Sequence, residues 1–138
     1  MNRFIWPARI YYEDTDSGGV VYYANYLKFL ERARTEWLRS LGFELDVLSR
    51  DSQVMFVVRK LAVDYHRPAR FNDLLHVHTS IAEARRASLR FAQTIVRSEG
   101  PEQQLLCTGN SLVACVATDS FKPRPVPQAI LAEIFGDN

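Results

Sequence analysis

A chain of 138 residues is long enough to bury a core of its own and too short for two comfortable ones, so a single domain over residues 1–138 is expected. Its 17 basic and 16 acidic residues leave a formal charge of +1, which excludes the broad electrostatic footprint of a nucleic-acid or anionic-lipid binder; any anion must be gripped locally. No leader-like apolar stretch opens the chain and no run approaches the roughly 20 apolar residues of a membrane span, so a cytoplasmic protein without membrane insertion is expected.

Phe4 to Tyr12 is rich in aromatic and β-branched residues with Pro7 near its start, the composition of a first strand at a sheet edge. Residues 13–25 (EDTDSGGVVYYAN) then set acidic residues and glycines around a short apolar run. They read as a tight turn or a loop carrying chemistry, with Gly18 and Gly19 free to take positive φ. From Tyr26 the period becomes helical: Tyr26, Leu30, Ala33, Trp37 and Leu41 share one face, while Lys28, Arg32, Glu36 and Arg39 take another. Asn25 is the expected N-cap, Arg32 and Glu36 an i,i+4 pair, Glu31 and Arg34 a further helical pair, and Gly42 the stop. Phe29, Leu30 and Trp37 belong to the packing face of this helix.

Beyond a short helical connector at Glu44 to Arg50, Val54 to Val58 is apolar on both faces, and Leu61, Val63 and Tyr65 then alternate with polar residues in a second strand. Pro68 to Asp73 supplies a turn, Leu75 to Ile81 alternates as a third strand, and Arg85 and Arg86 sit at the next turn. Ala87 to Arg97 and Leu105 to Thr118 read as two more long strands flanking a Gly100-Pro101 turn, and PQAILAEIFG as a closing helix. Cys107 and Cys115, eight residues apart in one extended segment, would stand about 26 Å apart at ~3.3 Å per residue, too far to bridge. They read as packing residues of a reducing compartment. His76 and His78 share a strand face, but with only His66 besides, no fourth ligand is apparent for zinc and an exposed face is expected.

Strand, long helix, then four strands is an α+β order, with the helix laid on one face of an antiparallel five-stranded sheet. A helix of about 16 residues spans only about 24 Å, too little to cover five long strands and seal their edges, so association with a second copy through a sheet edge is expected.

The strongest local constellation is Asp14-Thr15-Asp16-Ser17-Gly18-Gly19, just ahead of a helix whose first turn carries unpaired N–H groups and partial positive charge. Carboxylates beside an anion site invite hydrolytic chemistry; equally, they suit a turn in which they only bond backbone amides. Spacing does not choose between Asp14 and Asp16, which share a side if the segment is extended. A calcium loop would need further oxygen ligands and a closing glutamate that do not follow, so neither metal nor cofactor is expected.

The segment EDTDSGGVVYYANYLKFLERARTEWLRSLG resembles the signature of the hotdog-fold thioesterases related to 4-hydroxybenzoyl-CoA thioesterase, and FVVRKLAVDYHRPAR, EARRASL and FKPRPVP resemble their Tol-Pal-associated acyl-CoA thioesterase branch. The resemblance covers nearly the whole chain. It implies a hotdog fold, a long sheet wrapped around one helix, working as a dimer or dimer of dimers, and hydrolysis of acyl-CoA. It also implies Asp16 as general base or nucleophile, with Asp14 structural, and the backbone N–H of Tyr23 as oxyanion donor. Many members of the Tol-Pal branch carry histidine where Tyr23 stands, whereas the hydroxybenzoyl branch has tyrosine; the departure bears on acyl preference, since an amide donor survives it. Tyr12 is a candidate for the acyl site or for core and rim packing. Arg85, Arg86, Lys122 and Arg124 are the candidates for the coenzyme A phosphates. The alternative reading is an acyl-CoA or acyl-carrier-protein sensing module without turnover, with an acyl carrier protein or an envelope-associated complex as partner.

Overall fold

The computed structural model describes residues 3–136. Strand β1 (Phe4–Arg9) leads through a 3₁₀ turn (Tyr12–Asp14) and a tight hairpin into helix α1 (Asn25–Ser40), followed by the short helix α2 (Leu45–Ser52). Strands β2 (Val54–Tyr65), β3 (Leu74–Ala84), β4 (Ser88–Glu99) and β5 (Glu102–Ala117) come next, and helix α3 (Gln128–Phe135) closes the chain. The five strands form one antiparallel sheet in the order β1-β3-β4-β5-β2, which leaves β1 and β2 at the edges. Pro7, which has no N–H to give a ladder, accordingly lies on an edge.

Helix α1 runs lengthwise over one face of the sheet. Its first half packs Tyr26, Phe29, Leu30 and Ala33 into one cluster with Leu75 and Ile95, and its second half packs Trp37 and Leu38 into another with Leu89 and Phe91. The predicted stripe is therefore the buried face, because a 3.6-residue period laid on a flat sheet can bury only one side. Approach is closest at Gly109 of β5, where an added Cβ would stand 2.9 Å from Leu30 Cδ1. Beside it the buried Gln93 ties the helix down: its Nε2 donates to the Leu30 carbonyl (3.0 Å) and to Thr79 Oγ1 (2.9 Å), while its Oε1 accepts from Arg34 Nη1 (3.0 Å).

Several local expectations are corrected. β1 ends at Arg9, and Tyr12 lies in the 3₁₀ turn, because the Asp14 carboxylate draws in the Tyr11 amide and bends the chain early. Asn25 is the first helical residue and Ala24 the cap; the Asn25 side chain instead donates to the Asp14 carbonyl (2.9 Å). Glu36 pairs with Arg39 and not with Arg32, and Glu31 accepts from Thr35 while Arg34 reaches across to Gln93. Val58 is 49% exposed, since a register shift between Val58 and Lys60 and an edge position leave it uncovered. His76 and His78 are half-buried, their pleat shielded by neighbours on β1 and β4. Both cysteines are buried and free, and α1 closes at Leu41 with Gly42 at φ 97° just beyond.

Candidate active site

The acidic motif folds as a hairpin. The Asp16 amide donates to the Val20 carbonyl (2.9 Å), the Gly19 amide to the Asp16 carbonyl (3.0 Å), Thr15 bridges Val21, and the Tyr22 amide donates to the Asp14 carbonyl (2.9 Å). Gly19 takes φ 83°, the value this turn demands and an L side chain resists. The two aspartates part company here. Asp14, half-buried, binds the Tyr11 amide through Oδ2 (2.8 Å). Asp16 is exposed and accepts the Gly18 amide on Oδ1 (2.8 Å), while its Oδ2 has no hydrogen-bond partner among the described residues.

Two strand-connecting residues later the chain enters α1. Among the described residues no acceptor engages the amides of Tyr23 and Ala24, so the start of the helix presents free N–H groups beside the hairpin. The Tyr23 carbonyl is held by the Tyr65 hydroxyl (3.0 Å), reached from the end of β2. Tyr23, Tyr26 and Tyr65 wall a cleft of about 260 Å³ completed by Val21, His66 and Arg67. Burial pushes the Tyr26 phenol above its ordinary pKa, so the ring remains neutral there.

The hairpin and the helix are both seated on the loop at 66–73. The Val21 amide donates to the Ala69 carbonyl (2.8 Å), Val20 bridges Arg70, and the Tyr26 hydroxyl accepts the buried Ala69 amide (3.0 Å). Arg97 lies directly behind this loop and is bonded to its Pro68 carbonyl and its Asp73 carboxylate. Tyr65 and Ala69 lie in the FVVRKLAVDYHRPAR stretch that carries part of the resemblance and Pro68 to Asp73 reads as a turn, whereas no motif includes Asp73 or Arg97; the meeting of all four with the hairpin is made by chain pairing alone.

Of the remaining candidates, Tyr12 is 75% exposed and stacks flat on Phe71 at 3.9 Å between ring centroids, so it packs at the rim and not in the core. The four cations gather elsewhere. Val126 donates to the Arg86 carbonyl (2.7 Å) and Arg124 to the Cys115 carbonyl (2.9 Å), which brings Arg85, Arg86, Lys122 and Arg124 to one end of the sheet, all exposed, with Arg85 also paired to Glu83. The motif is seated at the other end, beside Asp73 and the start of β3. The 11 residues of β3, at ~3.3 Å per step, separate the two groups by about 33 Å. Within one chain Asp16 and the cations do not form a single site.

A family model described as the thioesterase superfamily matches residues 18–103. The acyl-CoA thioester hydrolase YbgC of Escherichia coli is 49% identical over 130 residues, 94% of each chain. The acyl-CoA thioesterase YbgC of Haemophilus influenzae is 44% identical over 131 residues, 95% of this chain and 93% of that one. Among solved structures, a 1,4-dihydroxy-2-naphthoyl-CoA thioesterase from Synechocystis superposes with a TM-score of 0.90 at 26% identity, covering 99% of this chain and 98% of that one.

Proposed function

This chain belongs to the thioesterase superfamily and has its hotdog fold, and from that premise we propose that it hydrolyses acyl-CoA thioesters at a site made of Asp16 and the amide of Tyr23. The observation that carries the reading is the juxtaposition of a carboxylate with one unengaged oxygen and a helix start with unengaged N–H groups, joined by one short hairpin. A carboxylate so placed either takes a proton from water attacking the thioester carbonyl or attacks that carbon itself; in both cases negative charge develops on the carbonyl oxygen and is met by the Tyr23 N–H. Collapse expels a thiolate, leaving the free acid where water attacked and, where Asp16 attacked, a mixed anhydride that a water molecule then opens to the free acid and the regenerated carboxylate. A thiol of pKa ~8.5 leaves without a strong acid, which is why no Ser-His-Asp set is needed.

The proposed working unit is a single domain, residues 1–138, paired with a second copy. On the edge strand β2, Val58, Leu61 and Tyr65 are 49, 39 and 46% exposed, and all three point to the face that carries α1. A two-fold pairing through this edge would cover them and, because it reverses the partner's strands, carry the partner's Arg85, Arg86, Lys122 and Arg124 towards this chain's Asp16. Those cations would then hold the coenzyme A phosphates, Tyr12 would border the acyl entrance, and the partner's cover would desolvate Asp16 and raise its basicity. The likeness to the Tol-Pal branch supports a cytoplasmic hydrolase acting beside an envelope complex or an acyl carrier protein.

The test is release of free thiol from a panel of acyl-CoAs by wild type and Asp16→Asn at equal folded concentration. A loss of about two orders of magnitude or more in the variant is expected, the scale of a general acid-base residue. Tight acyl-CoA binding by a wild type that releases no thiol would replace hydrolysis with sensing.

A further inference from the structure

We propose that Arg97 is a positioning residue for the reaction: through the loop at 66–73 it fixes where the Asp16 carboxylate stands relative to the start of α1. The inference rests on the hydrolytic reading above and adds a residue 81 positions away in sequence from the Asp16 it serves.

The observations form a continuous chain of contacts. Arg97, on β4, is buried at 8% exposure. One of its nitrogens, Nη1, donates to two points of the loop, the Pro68 carbonyl (3.1 Å) and Asp73 Oδ2 (2.8 Å), while Nη2 donates to Gln104 on β5. The same Asp73 oxygen accepts the Arg70 amide (2.8 Å), and the Asp73 amide returns a bond to the Arg70 carbonyl (3.1 Å). Pro68 and Asp73 are thus held by one guanidinium nitrogen, with Arg70 tied in through Asp73, while the second nitrogen anchors the guanidinium to Gln104 on β5.

What the loop holds in turn is the site. Ala69, fully buried between Pro68 and Arg70, accepts the Val21 amide through its carbonyl and donates its own amide to the Tyr26 hydroxyl. Val21 closes the hairpin that carries Asp16, and Tyr26 lies in the first turn of the helix whose start carries the Tyr23 amide. One residue of the loop therefore references both partners of the proposed reaction, and the ion pair behind it fixes that residue. A largely buried pair with a two-acceptor geometry defines position in a way a solvent-exposed pair does not. Misplacement of a reacting group by about 1 Å costs on the order of 10²-fold in rate, so a clamp at this point acts on turnover more than on binding.

The experiment measures kcat and KM of wild type, Arg97→Met, Arg97→Lys and Tyr26→Phe on an acyl-CoA that the wild type hydrolyses, below the unfolding transition of every variant. Arg97→Met is expected to lower kcat by about tenfold to a hundredfold with KM within about twofold of wild type. Arg97→Lys, whose ammonium reaches one loop acceptor well, recovers part of that loss. In the Asp16→Asn background the Arg97→Met change should have little further effect, because a carboxylate that is gone has no placement to lose. A folded Arg97→Met enzyme with wild-type kcat, a rise in KM alone, or full additivity with Asp16→Asn overturns the proposal. Should Arg97→Met fail to fold, Tyr26→Phe decides, since it removes only the hydroxyl that ties the loop to α1; unchanged kcat there overturns it equally. Absence of thiol release by wild type, or full activity of Asp16→Asn, is a different result, and it removes the hydrolytic reading itself.

Discussion

Replacing Gln93 by leucine isolates what the polar tie between sheet and helix contributes. Leucine nearly conserves the volume, so the cost is polar and not a cavity. Three bonds go at once, to the Leu30 carbonyl, to Thr79 Oγ1 and from Arg34 Nη1, at a position 3% exposed. Thr79 is fully buried and finds no water in exchange, and the Arg34 guanidinium is desolvated enough that burial lowers its pKa. Two neutral bonds at ~1 kcal/mol each and one to a charged group at ~1.5–3 kcal/mol give a loss of roughly 3–5 kcal/mol. With an unfolding entropy of ~2.1 cal/mol/K per residue over 138 residues, about 0.29 kcal/mol/K, the midpoint should fall by roughly 10–17 °C. Thermal unfolding followed by circular dichroism at one fixed protein concentration reads this directly. Thr79→Val removes one neutral bond of the three and should cost about 1 kcal/mol, roughly a quarter as much. A fall of less than ~3 °C in Gln93→Leu would refute the argument, meaning that packing alone seats the helix.

Gly109→Ala should destabilise by about 1–3 kcal/mol in urea titration, because the new methyl meets Leu30 Cδ1 and that side chain is fully buried; unchanged stability would mean that Leu30 can turn aside. Burial, with the nearby Asp64 charge adding to it, pushes the Cys107 thiol up to about 11 from an ordinary 9.0. A raised folded-state pKa means the stabilisation is intact below pH 9 and is lost as pH climbs towards 11, so Cys107→Ala should flatten the alkaline decline seen in denaturant midpoints. Parallel curves for the two proteins across that range would contradict this.

Much of the architecture was legible residue by residue. The Tyr26, Leu30, Ala33, Trp37 stripe announced both the helix and its buried face, Pro7 an edge strand, Gly42 the helix stop, and the alternation at Leu75 to Ile81 a strand with one covered side. These are short-range signals, since an element of fixed period must place its apolar residues on whichever face meets the core. The side-chain partners were not legible: Glu36 chose Arg39 over Arg32 because several near-equivalent neighbours compete within a helical turn. Val58 read as covered, although its strand lies at an edge.

The amino-acid order alone determined which elements exist, where the acidic hairpin precedes the helix, and, by resemblance, which superfamily to expect. Only the tertiary structure decided that Asp14 and Asp16 bind different amides, that the four cations gather at the far end of the sheet from Asp16, and that Arg97 stands behind Ala69. The reason is the range of the interactions. Periodicity and turn chemistry are written in neighbours three or four residues apart, whereas strand order and loop seating depend on contacts between segments dozens of residues apart, which no local pattern encodes.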